Sequence, residues 1–235
     1  PLIAINPTMI WKLMSLFRRF YYLQFFNVDQ PTNLRSFLMI FSVGRFQYLP
    51  NIGKIVIPDH IDKTAPKKFD KAGMSGLFLK TAGHIVCLWI IIVSAYGMLY
   101  VVDKYLSRRL NILKKKNVLE KFKKEFIPQT WENTVPDLYY AVFLQFMGRQ
   151  TGNFFTILSL LCAIIVIISS IIMGLKKFRP LWYKAPSSPP VKKWIPAIEY
   201  CMLIAQPLIL ICFYYYPAHQ LSLMWGSTMS SLIIY

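Results

Sequence analysis

Acidic residues are scarce in this sequence. Ten Asp and Glu stand against 27 Lys and Arg, for a formal net charge of +17. No acidic pair has a spacing useful for general acid–base work. Histidine is scarcer still, and His60, His84 and His219 fall on separate predicted elements. The four cysteines, Cys87, Cys162, Cys201 and Cys212, all lie inside apolar runs. No two of them make a CxxC or another metal-ligand spacing, so they read as small residues in an apolar setting rather than a disulfide framework or zinc site. HExxH, GxSxG, a P-loop and GxGxxG are all missing. We therefore expect no enzyme, no metal and no cofactor.

Charge of either sign is also sparse, at 16% of residues against 55% hydrophobic. An average soluble domain carries about a quarter charged residues, so this chain is better measured in membrane spans than in soluble domains. The basic excess does not point to nucleic acid. It sits in loops that flank apolar runs, the pattern of a membrane protein facing an anionic cytoplasmic leaflet.

The longest apolar run, residues 153–175, passes without one charge and ends on Lys176 and Lys177. About 20 apolar helical residues cross a hydrocarbon core of about 30 Å, whereas a surface helix keeps a polar face. A second span is expected from about Gly76 to Val102 and a third from Trp194 to Tyr216. In the third, Pro207 predicts a kink and Tyr214–Tyr216 form an aromatic belt at its far end. Residues 221–235 begin another helix. The chain starts at Pro1, shows no signal peptide and stops inside an apolar run, so we expect a larger protein with sequence beyond both ends.

Two basic stretches fix the orientation. Residues 103–125 hold nine Lys or Arg against three acids, and 176–193 hold six and none. Both should be cytoplasmic, in loops bounded at 103–126 and 176–193. An even number of crossings must separate them, so the short aromatic helix at 135–149 is expected to cross together with 153–175. Leu106, Leu110, Leu113, Val118, Phe122 and Phe126 give the first loop an apolar stripe. Arg108, Arg109, Lys114, Lys115, Lys116, Lys123 and Lys124 are thus candidates for anionic lipid headgroups.

Residues 1–72 read differently from the bundle at 73–235. Trp11, Met14, Phe17, Tyr21 and Phe25 recur at helical spacing, yet Lys12, Arg18 and Arg19 interrupt the run. A charge at the bilayer centre costs about 2.5–3.5 kcal/mol on insertion scales. The arginines therefore either snorkel from an interfacial helix or meet acidic partners within a packed span. A turn at Asp29–Pro31 leads to a short apolar helix at 33–47, and 8–47 fit either a crossing or a re-entrant hairpin. Residues 50–72, with three prolines, are expected to form a polar loop outside the hydrocarbon. Polar residues within the apolar runs are the functional candidates: Arg18, Arg19, Lys80, His84, Asp137, Glu199 and Gln206. Of these, Lys80 and His84 lie where they can snorkel, Glu199 and Gln206 share a helical face, and Asp137 is placed to cap a helix over 138–148.

The stretch from Ile10 to Asn51 carries a further pattern. Trp11 opens a helix that runs to the aromatic cluster Tyr21–Phe26. A turn at Pro31–Asn33 follows, then an Arg-Ser-Phe helix at Arg35–Phe41 and a Leu-Pro-Asn exit at Leu49–Asn51. This resembles a segment of the large surface membrane proteins of ciliates, in which cysteine-rich extracellular repeats precede a C-terminal block of helices. More remotely, the order of elements resembles the membrane region of TRP-like and polycystin-like proteins. Arg18 and Arg19 stand where that pattern has more neutral residues, and no pore loop is recognisable.

These readings together predict an all-α polytopic membrane helical bundle with about five to six crossings and short amphipathic helices. The resemblance implies the membrane-embedded anchoring and assembly region of a receptor- or adhesion-type surface protein in the plasma or ciliary membrane. Its expected partners are the bilayer, anionic lipids and other membrane subunits. A cation channel subunit of TRP-like or polycystin-like type is the alternative, and an accessory subunit of a mitochondrial inner-membrane complex is a third.

Overall fold

The computed structural model describes residues 7–61, 65–106, 118–148, 152–182 and 190–234. Among the described residues every element is a helix. In chain order they are α1 (Pro7–Tyr22), α2 (Thr32–Ile40), α3 (Ile52–Val56), α4 (Lys67–Asp70), α5 (Phe78–Leu106), α6 (Val118–Lys121), α7 (Ile127–Met147), α8 (Phe154–Trp182), α9 (Pro190–Cys212) and α10 (Pro217–Ile234). Short 3₁₀ turns follow α1 at Leu23–Phe25 and α2 at Phe41–Arg45.

The least apolar of the long helices is at the centre. α7 packs against α1, α5, α8 and α9, and from Thr130 to Gln145 nearly every residue is buried. The sequence suggests a helix over 135–149 only. The structure starts it earlier because Pro128 sits in the first turn, where a missing N–H costs nothing. Just upstream, Phe122–Phe126 form a π-helical turn joining α6 to α7. A widened turn accommodates the Pro128 ring, which would clash with the carbonyl four residues back in a regular helix. Thr130, Asn133 and Thr134 each donate a side-chain hydrogen bond to a carbonyl three or four residues earlier.

Around α7 the polar residues Thr130, Thr134, Asp137, Gln145 and Ser159 are buried among apolar ones such as Val135, Leu138 and Val142, whereas Ile90, Val93, Ile165, Ile168, Leu208 and Trp225 are exposed. Three helices, Phe78–Tyr105, Phe154–Phe178 and Trp194–Cys212, are long and apolar enough to cross a membrane. Only 11%, 22% and 33% of their most apolar windows are buried within the fold, so most of that surface faces outward. A chain that buries these polar side chains and leaves such apolar faces outward suits a membrane location.

Side-chain caps lock the bundle where α5 begins. Phe78 N–H donates to Gln145 Oε1 of α7 (2.9 Å) and Leu79 N–H to Ser159 Oγ of α8 (3.1 Å). Ser159 Oγ also donates to Gln145 Oε1 (2.8 Å), so two of the orphan donors of α5 tie three helices together.

Residues 50–72 differ from the polar loop expected. They carry α3 and α4 and bury Ile57, Ile61 and Phe69. Asn51 caps α3 by accepting from Lys54 N–H and also donates to the Lys80 carbonyl. A Cβ on Gly53 would fall 1.8 Å from the Leu79 carbonyl oxygen, so only glycine lets α3 lie this close to α5. The hydrophilic composition of the segment hid a core edge: Phe25 and Phe69 stack at 4.5 Å, only 2° from parallel.

Candidate functional site

Three charged residues from three elements meet halfway along α7. Arg18 Nε on α1 lies 2.7 Å from Asp137 Oδ2, and Arg45 Nε, at the end of the turn after α2, lies 3.3 Å from Asp137 Oδ1. Exposure is 2% for each arginine and 1% for Asp137. Burying an ion costs several kcal/mol, and one carboxylate between two guanidiniums leaves a local excess of one positive charge. Neutral groups spread that charge. Arg18 Nη2 donates to the Gly44 carbonyl (3.0 Å) and Arg45 Nη1 to Tyr21 Oη (3.0 Å). The Arg18 guanidinium also sits 5.8 Å from the Phe46 ring centre, and that of Arg45 5.1 Å from Tyr21.

Local backbone geometry makes this convergence possible. A Cβ on Gly44 would meet Arg18 N at 2.9 Å and the Met14 carbonyl oxygen at 3.0 Å, so glycine is what brings the turn against the α1 backbone. Phe46 then takes a left-handed conformation (φ 56°), uncommon for a bulky residue, and its N–H caps the turn at the Val43 carbonyl. Beside the cluster, His84 is 5% exposed and lies against the Arg45 backbone. Tyr140 stacks on Tyr22 with ring centres 3.8 Å apart, and neither hydroxyl has a hydrogen-bond partner among the described residues.

The arrangement holds helices together. Both oxygens of Asp137 face guanidinium groups, so the carboxylate is taken up by the pairing. Among the described residues, no group of three or more His, Cys, Asp or Glu is placed to hold a metal ion.

The chain matches no family model, no curated protein and no solved structure. The site must be read from its own geometry.

Of the residues singled out from sequence, Arg18, Asp137 and His84 come together. Asp137 is not a helix cap: α7 begins ten residues before it, so the carboxylate faces an arginine pair instead of free N–H groups. Arg18 does not snorkel, but the adjacent Arg19 is exposed. His84 does not snorkel either, and Lys80 reaches a carboxylate that is itself fully exposed. Lys80 is 3% exposed and pairs with Asp59 (3.3 Å). Glu199 and Gln206 are half-buried on α9. Lys123 and Lys124 are exposed on the π-helical turn. The hydrogen bond between Lys124 and Glu120 holds the Glu120 carboxyl below its ordinary range and the Lys124 ammonium above it. Arg108, Arg109, Lys114, Lys115 and Lys116 lie outside the described residues.

Sequence reasoning missed Arg45. The signal was present: a Gly-Arg pair inside the otherwise apolar run from Phe37 to Phe46, where a lone cation needs a counter-charge as much as Arg18 does.

Proposed function

We propose that this chain is the membrane-embedded anchoring and assembly region of a large multi-pass surface protein, with α5, α7, α8, α9 and α10 each crossing the bilayer. The observation that carries the reading is where the side chains go. Trp89 of α5, Ser159 of α8 and Tyr200 of α9 hydrogen-bond with α7, while most of the apolar surface of those three helices stays outside, where lipid and other membrane chains are the available solvents. The two basic stretches then face one side, with α7 and α8 as the even pair between them. The exposed lysines of the first stretch meet anionic headgroups. A surface location draws its support from the resemblance over Ile10–Asn51.

The test is extraction and sizing of the native protein. We expect it to stay in the membrane pellet at alkaline pH and to migrate with other membrane chains after mild solubilisation. Release into the supernatant would overturn the membrane reading, and migration as a lone chain would overturn the assembly reading. The channel reading has one observation in its favour, ionisable groups buried halfway along a central helix. It is the weaker one, because a cluster with two arginines and one carboxylate repels cations. Cation currents from the purified protein in planar bilayers would reverse that order.

A further inference from the structure

We propose that α1 is itself a bilayer crossing and that residues 32–57 re-enter the bilayer from the face opposite the basic stretches, so that the outer faces of both segments contact lipid acyl chains. The inference rests on the membrane reading above and adds a sixth crossing to it.

The register of α1 along α7 carries the first half. Trp11 packs edge-on against Phe126, where α7 leaves the basic π-helical turn (centres 6.0 Å apart). Arg18 then meets Asp137, and Tyr22 stacks on Tyr140. Asn27 finally donates its N–H to Gln220 Oε1 (3.0 Å) and its Nδ2 to the Tyr214 carbonyl (2.9 Å), at the turn between α9 and α10. Both helices therefore run the same way, from the basic end of the bundle to the opposite end. Sixteen α-helical and three 3₁₀ residues rise about 30 Å, the thickness of a hydrocarbon core.

The return path carries the second half. From Thr32 the chain comes back beside α1, and at Gly44–Arg45 it reaches the level of Asp137, ten residues from either end of α7. By Asn51, which donates to the Lys80 carbonyl, and Gly53, which sits under Leu79, it is back at the first turns of α5. α5 starts at the end away from the basic stretch that follows it, so entry and exit share one face. Non-helical backbone is tolerated at such depth only when buried in protein. Here Gly44 is buried and its carbonyl accepts from Arg18.

Charge sorting completes the case. Arg18 and Arg45 point inward, whereas Leu13, Leu16, Phe37, Ile40 and Val43 are between 48% and 68% exposed. Their faces continue the apolar perimeter of α5, α8 and α9. Arg19 is exposed on α1, and its long flexible stem lets the guanidinium leave the apolar face for a polar surface. A consequence is that α1 begins on the basic side. An extracellular region preceding it would require one more crossing.

Single cysteines in a background lacking the four native ones test this, in sealed vesicles bearing the full chain, with a membrane-impermeant maleimide on either side. We expect Asp29→Cys and His60→Cys to label from one side and Lys123→Cys from the other. Leu16→Cys and Ile40→Cys should label from neither, and a bimane attached there by a permeant reagent should be quenched by brominated acyl chains. Labelling of Leu16→Cys from water, or of Asp29→Cys and Lys123→Cys from the same side, would overturn the proposal. Ile165→Cys on α8 separates the two readings. If it is protected while Leu16→Cys reacts, only this inference fails; if both react, the membrane reading fails with it.

Discussion

Asp137 is the counter-charge for two guanidiniums that have almost no contact with solvent, so its removal should be among the most damaging single changes in the chain. Asp137→Asn keeps the shape and deletes the charge. Breaking a buried pair in this way costs about 3–5 kcal/mol, which we expect to read as a strongly lowered thermal transition of the purified protein. Asp137→Asn combined with Arg45→Gln should cost less than the sum of the two single changes, because the second removes a cation that the first leaves unpaired. Strict additivity in that cycle would mean the residues do not touch. Gly44→Ala should cost about 1–3 kcal/mol through overpacking against the α1 backbone, with the loss again visible in thermal unfolding. Part of this site was legible in the sequence. Two adjacent arginines in an apolar helix announce a need for acidic partners, but Asp137 read as a helix cap, so the pairing itself did not show. Arg45 was not legible. Its partner is set by a glycine approach and a left-handed turn at Phe46, and neither leaves a periodic signature.

At the scale of elements, the three apolar helices declared themselves by length and composition alone, and all three are helical in the structure over nearly the ranges expected. α7 did not. Its hydropathy is diluted by Thr130, Thr134, Asp137 and Gln145, the residues that make it the hub. A helix surrounded by other membrane helices can carry hydrogen-bonding groups that a lipid-facing helix cannot. Residues 50–72 misled for the related reason that lysines and prolines on one side of short helices masked Ile57 and Phe69 on the other. The caps at the start of α5 give a direct test of how the elements are joined. Gln145→Leu removes the acceptor for Phe78 N–H and for Ser159, and an orphaned buried donor costs about 1–3 kcal/mol. Amide exchange should then accelerate in the first turn of α5 while the centre of α9 keeps its protection. Equal acceleration throughout would show that the caps report global stability instead of local fastening.

For the whole molecule, the organising feature among the described residues is a buried ion-paired cluster in a helix bundle sheathed in apolar side chains. So many exposed Ile, Leu, Phe and Val side chains would drive association in water and suit a hydrocarbon surround. The most direct measurement is residue-resolved labelling by an apolar carbene precursor dissolved in the bilayer, read by mass spectrometry of the intact native protein. We expect heavy insertion along the outward faces of α5, α8 and α9, at Val93, Ile165 and Leu208 among others, and almost none between Thr130 and Gln145 of α7. Labelling of α7 at the level of α8, or an unlabelled α8, would contradict a bundle built around Asp137.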